Sequence, residues 1–306
     1  MSKFNKKISD EKLGLFLAVS SSIFISIEIL VIDYLYRYNP SINFFEMLFW
    51  SYLGVILFGS IFFLSSKKSI SNVLETFKEH RQLLVKDSII SVIAVLFYFL
   101  GISLIGSSST SIFLRASIIF TILFSLILLK EKLTLKEGGL IVLMIIGFLL
   151  YQESYEISSL FGVFVVLTST FLYSLINYFI KKENNNHNSF YYSYLRQIFI
   201  LGFSSIIFIL FLRYRFELNF IGWKNFGILT LGSFCGGILS RATGKIAISK
   251  LKLHKFTIVK NSDIFFVIIG SYLIFADNYS MIRLFGVFLV TLAVVLYSLN
   301  KKNYKL

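Results

Sequence analysis

One cysteine, one proline and three histidines stand among 306 residues. A lone cysteine, Cys235, excludes an intramolecular disulfide and a thiolate metal cluster. His80, His187 and His254 lie far apart in polar stretches, a spacing that suits solvated loop histidines better than a metal site. No Gly-x-Ser-x-Gly, Walker loop or His-Glu-x-x-His occurs, so the signatures of a hydrolase, a P-loop ATPase or a zinc protease are missing. Charge is scarce too. Asp, Glu, Lys and Arg make up 15% of the chain, against about 25% in soluble domains. Acid is the scarcer sign, with 16 Asp+Glu against 30 Lys+Arg.

Apolar side chains fill the space. Hydrophobic residues make up 56% of the chain, aromatics 18%, and the mean hydropathy is +0.78. A soluble enzyme, a disordered chain and a collagen-like chain are excluded. The first thirteen residues are polar, and the apolar run after them is too long for a signal-peptide core. The net charge of +14 points either to nucleic acid or to basic cytoplasmic loops of a membrane protein.

A helix crossing a hydrocarbon core needs about 20 mostly apolar residues. Ten runs read as spans: Gly14 to Tyr36, Asn43 to Leu64, Asp87 to Ile105, Ser109 to Leu129, a short Gly138 to Tyr151, Ser159 to Ile180, Ser189 to Leu212, Phe226 to Ile248, Phe256 to Phe275 and Ile282 to Leu299. The runs are continuous and do not alternate, which argues against a β-barrel. With the N-terminus inside, 22 of the 30 basic residues fall on the inner side and 5 on the outer. That asymmetry predicts cytoplasmic termini and accounts for the charge without nucleic acid. Arg115, Arg196 and Lys260 are left within spans.

The chain also resembles itself. Gly14, Phe16 and Ser20-Ser21-Ser22 open the first run, as Gly162, Phe164 and Thr168-Ser169-Thr170 open the sixth. Arg115-Ala-Ser117-Ile-Ile119-Phe120 matches Lys260-Asn-Ser262-Asp-Ile264-Phe265. Five spans per half make the second copy enter from the opposite side, the inverted-topology repeat of many secondary transporters. The expected fold is therefore an all-α polytopic membrane protein with ten transmembrane helices in two inverted five-helix repeats. Its parts are a cytoplasmic N-tail (1–13), the first repeat (14–151), the second (159–299) and a cytoplasmic C-tail (300–306).

Ten spans in two halves resemble the drug/metabolite transporter superfamily in its EamA-like branch. The best local likeness is Phe120-Thr121 through Leu129-Lys130-Glu131-Lys132-Leu133, followed by the short fifth helix with Gly147; the sixth helix, Gly162 to Lys181-Lys182, is similar too. The family often has proline in helices 4 and 9, where this chain has Ile118 and Asp263, and an arginine in helix 2, where it has Ser51. The resemblance implies a cavity lined mainly by helices 1, 3, 4, 6, 8 and 9. It also implies a secondary transporter of a small polar metabolite, amino-acid- or nucleotide-like, working by alternating access in the cytoplasmic membrane; the basic residues within the spans favour an anionic or zwitterionic one. Such a protein needs no cofactor or metal. Its partners are a small-molecule substrate and the lipid bilayer, with a homodimer allowed. A channel, a receptor and a membrane-embedded enzyme are the alternatives.

Charged residues in a bilayer are costly and mark pathways or partners. Glu28, Arg115, Lys260, Asp263 and Arg196 are the candidates for substrate contact, with Tyr98, Tyr173 and Asn177 as polar cavity residues. Glu28 and Asp263 can instead carry a coupling proton. The blander expectation is internal pairing, Lys260 with Asp263 at i,i+3 and Arg115 with Glu28. Asp33, Arg37, Glu46, Lys130 and Lys245 sit near span ends, within reach of water. Arg241, late in helix 8, reads either way. Gly232 and Gly236 form a small-xxx-small pair for close helix contact.

Overall fold

A computed structural model describes residues 2–39, 42, 44–151, 160–183, 188–212 and 219–299. These residues form helices and no strand. In chain order they are α1 (Ser2–Tyr38), α2 (Phe44–Phe63), α3 (Lys67–Leu114), α4 (Ser117–Leu123), α5 (Leu135–Tyr151), α6 (Leu160–Glu183), α7 (Ser189–Leu212), α8 (Trp223–Phe234), α9 (Arg241–Lys250), α10 (Leu253–Lys260), α11 (Asp263–Phe275) and α12 (Met281–Leu299). A π-helical turn, Phe124–Leu128, continues α4, and another, Cys235–Ser240, joins α8 to α9 in one rod. With α8 and α9 joined, the described residues form eleven helical rods. Four stretches, Asp10–Tyr38, Glu46–Phe63, Leu160–Glu183 and Leu253–Phe275, are long and apolar enough to cross a membrane.

Several boundaries differ from the expected ones, each for a physical reason. The polar N-tail and the stretch between helices 2 and 3 are helical from Ser2 and Lys67. In the second case, Val73, Phe77 and Leu84 repeat at helical spacing and pack into a cluster with Ile176, Ile180, Leu195 and Phe256. α5 begins a turn early because Thr134-Leu-Lys-Glu137 is a capping box. The Thr134 N–H donates to Glu137 Oε2 (2.8 Å), and the Glu137 N–H donates to Thr134 Oγ1 (3.3 Å). The C-tail, the start of the second repeat at residue 159, His187, Arg213 and Arg215 lie outside the described residues.

Helical turns continue from Lys67 to Leu114, yet the axis reverses near Ile105. Ser169 Oγ donates to the Ala94 carbonyl (2.7 Å), and its neighbour Thr170 Oγ1 donates to that of Phe113 (3.3 Å). In a straight helix those carbonyls would be about 28 Å apart. A Cβ on Gly101 would also lie 3.8 Å from Thr110 Oγ1. The expected turn between helices 3 and 4 is therefore present as a hairpin with helical backbone.

Two helices break in mid-course. The first break is at Arg115–Ala116, between α3 and α4, and the second at Asn261–Ser262, between α10 and α11. In each, the backbone tightens to an i→i−3 bond: Ala116 N–H to Phe113 O and Ser262 N–H to Val259 O, both 3.1 Å. The last two hydroxyls of each triplet noted in the sequence, with Ser26 and Ser174, reach across to the broken helices and the rods beside them. Ser21 donates to Ser240 O (2.8 Å), Ser22 to Lys260 O (2.8 Å) and Val259 O (3.4 Å), and Ser26 to Asp263 O (3.0 Å). On α6, Ser169, Thr170 and Ser174 donate to Ala94, Phe113 and Ser117 (3.2 Å for the last). Donors differ by 148 positions and acceptors by 146. Each half thus lends its first helix to the other half's broken one.

Around this centre, α5 and α12 cross at a glycine contact. A Cβ on Gly147 would lie 2.7 Å from Gly286 O, and one on Gly286 2.5 Å from Gly147 O. Large apolar side chains such as Phe16, Leu57, Ile61, Ile127, Phe164, Leu273 and Phe288 are exposed, a surface suited to lipid rather than water.

Candidate functional site

A cavity of about 340 Å³ lies where α1, α2, α3, α6, α7, the α8–α9 rod and both breaks converge. Its volume falls within the range of small-molecule sites. All eight candidates from the sequence, Glu28, Tyr98, Arg115, Tyr173, Asn177, Arg196, Lys260 and Asp263, line it. Helices 2 and 7 join the expected lining through Ser51, Tyr52, Arg196 and Gln197.

The ion pairs differ from the expected ones. Arg115 Nη1 donates to both oxygens of Asp263 (3.0 and 3.1 Å) and to Asn261 Oδ1 (3.2 Å), so the two breaks are bonded to each other. Asp263 does not bridge Lys260, because the break at Asn261–Ser262 puts Asp263 on the first turn of a new helix. Arg115 does not pair with Glu28, whose carboxylate is seated on Gly236. A Cβ there would lie 1.8 Å from Glu28 Oε2. Gly232 meets Val31 in the same way, at 2.7 Å, so both glycines do serve close contact of α1 with the α8–α9 rod.

Arg196 is neutralised within its own network. Its Nε donates to Asp87 Oδ1 (3.0 Å) and its Nη2 to Ser91 Oγ (2.5 Å), while Tyr192 OH donates to Asp87 Oδ2 (2.8 Å). Asp87, read in the sequence only as the start of a span, is its buried counter-ion. Arg241 also lines the cavity, its guanidinium 5.8 Å from the centre of the Tyr173 ring. Ser51, at the position where the family often has arginine, donates to Ser233 Oγ (2.6 Å). Gln197 Nε2 donates to Gly237 O in the π turn (2.5 Å). Neutral polar residues such as these carry no signal in a hydropathy scan.

Other polar groups hold the ends of the bundle. Lys245 does not reach water: it is 2% exposed, with Nζ 3.7 Å from the centre of the Tyr192 ring. Removing Arg241 and Lys245 from the inner-side count leaves the basic asymmetry standing. His80 and His254 are buried, not solvated. His80 pairs with Glu183. His254 Nδ1 lies 3.0 Å from Glu131 Oε2 and 2.9 Å from Ser125 Oγ. Glu131 also accepts the Leu253 N–H (3.0 Å) and so caps α10. Burial pushes its carboxyl up, but bonds from His254, Ser125 and Leu253 outweigh that and hold it below the ordinary value. At the other end of α1, Arg37 makes a two-pronged bond to Asp277 (2.8 and 2.9 Å) and an i,i+4 pair with Asp33 (3.0 Å).

With the geometry in place, known proteins bear on it directly. Residues 12–151 match the EamA-like transporter family, consistent with the drug/metabolite transporter superfamily. That family consists of multi-pass membrane transporters of the drug/metabolite kind, not enzymes, and implies a bilayer and a small-molecule substrate. A solved structure described as "Crystal structure of protein" shares the fold, with a TM-score of 0.73 at 10% identity over 92% of this chain and 95% of that one. No curated protein matches.

Proposed function

We propose that the chain is a secondary transporter that moves a small polar metabolite, anionic or zwitterionic, by alternating access. The reading includes ten transmembrane helices in two inverted-topology repeats, 14–151 and 159–299, with both termini on the cytoplasmic side of the inner membrane. The observation that carries it is the charged cavity between two helix breaks 146 residues apart in the chain, bonded to each other through Arg115 and Asp263. Broken helices beside a midplane site are how transporters expose polar groups to a solute inside lipid. The reciprocal clasps of α1 and α6 support the pairing of the halves, and the basic asymmetry supports the orientation. Glu28, Arg115, Arg196, Lys260, Asp263, Tyr98, Tyr173 and Asn177 are the proposed substrate-facing residues. The test is counterflow in proteoliposomes. Vesicles preloaded with substrate should take up labelled substrate faster than empty ones, with saturation. Linear, unsaturable entry would indicate a channel. A reporter fused to the C-terminus should read as cytoplasmic, and a periplasmic signal would break the ten-helix topology.

A further inference from the structure

The charges of the cavity are not equivalent. Arg115 is matched by Asp263 and Arg196 by Asp87. Three remain: Glu28, Arg241 and Lys260. Among the described residues, no hydrogen bond or ion pair joins any of these three side chains to a protein group; the two cations only overlie rings, Arg241 that of Tyr173 and Lys260 that of Phe256 (5.6 Å). Leaving three charges unmatched inside a membrane protein is costly unless a ligand completes them.

Their placement is ordered. The carbonyl of Ser240 is bonded to Ser21, and that of Lys260 to Ser22. Arg241 and Lys260 therefore leave their helices beside the same turn of α1. Glu28 lies six residues further along α1, about 9 Å at 1.5 Å per residue, held against Gly236. Two cationic side chains leave their helices at one level of the cavity, and the carboxylate leaves α1 at another. The formal sum of the three is +1, so a complementary solute carries −1.

Resting on the transporter reading, we infer that the substrate is a small amine that also carries two negative charges, on one phosphate or on two carboxylates. Arg241 and Lys260 grip the acidic groups and Glu28 takes the ammonium. A phosphomonoester and a dicarboxylate both meet that chemistry. Arg241 suits either, because a guanidinium presents paired donors to a carboxylate or a phosphate. The Glu28 carboxylate rejects an acid that lacks the ammonium, since its own charge would then face another anion.

The experiment uses the purified full chain in proteoliposomes, with O-phosphoethanolamine and L-glutamate as probes and glutarate, ethanolamine and L-leucine as controls. At least one of the two probes should drive saturable exchange and raise the melting temperature. Glutarate and ethanolamine should be weaker by at least about tenfold, the worth of one charge-assisted bond. Whichever probe exchanges names the acidic groups. Glu28→Gln should cut the preference for glutamate over glutarate by about tenfold, and Arg241→Gln or Lys260→Gln should weaken the responding probe by a similar factor. The wild-type comparison of glutamate with glutarate, and of phosphoethanolamine with ethanolamine, needs no variant to fold. Equal exchange of glutarate and glutamate would overturn the assignment of Glu28. Exchange of leucine with neither probe active would overturn the inference while leaving a transporter. No exchange by any of the five would count against both.

Discussion

Gly236 offers a test in which packing and helix propensity pull in opposite directions. It lies in the π turn Cys235–Ser240, and a Cβ there would lie 1.8 Å from Glu28 Oε2, 2.4 Å from Cδ and 2.6 Å from Cβ. Rotating the carboxylate away relieves only the first two clashes. The third involves the root of the side chain, so α1 itself must shift. Overpacking of this kind costs about 1–3 kcal/mol, while replacing glycine by alanine in a helix returns up to ~1 kcal/mol. Gly236→Ala should therefore be destabilising by up to about 2 kcal/mol. Gly227 lies on α8 of the same rod, and a Cβ there would meet nothing within 4 Å. Gly227→Ala should gain up to ~1 kcal/mol by propensity alone. Thermal melts in one detergent should then move in opposite directions, down for Gly236→Ala and up for Gly227→Ala. Adding Glu28→Gly to Gly236→Ala removes all three clashing atoms, so the double variant should be more stable than the two single effects predict, by about 1 kcal/mol or more. Two alanines that shift the melt in the same direction would refute the claim that Glu28 is seated on Gly236.

The other predictions use the bonds that join the elements. Glu131 has a carboxyl held below its ordinary value, so the stability it contributes is complete above that value, 4.5, and is lost as pH falls through the lower folded one. Melts of the wild type should drop more steeply below about pH 4.5 than those of Glu131→Gln, and parallel curves would discard the cap. Arg115 and Asp263 are 22% and 11% exposed, so breaking the pair should cost about 1–3 kcal/mol, less than a fully buried pair. Arg115→Gln with Asp263→Asn should be milder than the sum of the two, and additive effects on the melt would mean the ions are not coupled. Ser21→Ala and Ser169→Ala remove equivalent clasps and should each cost about 1 kcal/mol; a large effect at one site alone would contradict their equivalence.

The sequence makes some of this legible and hides the rest, for identifiable reasons. Apolar runs reveal spans because lipid forbids an unsatisfied backbone. The same scan sees only the apolar part of a helix, so it places ends at Gly14 and Asp87 where the polar turns before them are helical too. Charges within spans are few enough to be counted, and the five charged candidates reach one cavity together with Tyr98, Tyr173 and Asn177. Their partners are another matter. Local spacing suggested Lys260 with Asp263, three residues apart, whereas Asp263 bonds Arg115 from 148 positions away. Asp87 lies close enough to a span end to pass for a solvated terminus, and Arg241, late in helix 8, reads either way for the same reason. The packing of α3 against α7 brings Asp87 beside Arg196.

The absence of proline from both breaks shows how such a break is held. A proline opens a helix by deleting an N–H and displacing the carbonyl one turn back. Here Ile118 and Asp263 stand at the positions where the family often has proline, and the helices still open, a few residues earlier in one case and immediately before in the other. An opened helix leaves carbonyls without their usual donors, and in lipid those must be satisfied by protein. Phe113 O and Val259 O each take an i+3 amide and a hydroxyl from the opposite half, from Thr170 and Ser22. Hydroxyl donors are weaker constraints than a covalent ring, and they can be released by a small movement of α1 or α6. Ser22 and Ser26 on α1, with Thr170 and Ser174 on α6, thus hold the two breaks, whereas Ser20 and Thr168 bond carbonyls of their own helices. In the proposed alternating cycle a shift of either first helix would release these bonds, and the Arg115–Asp263 bond would tie one break to the other.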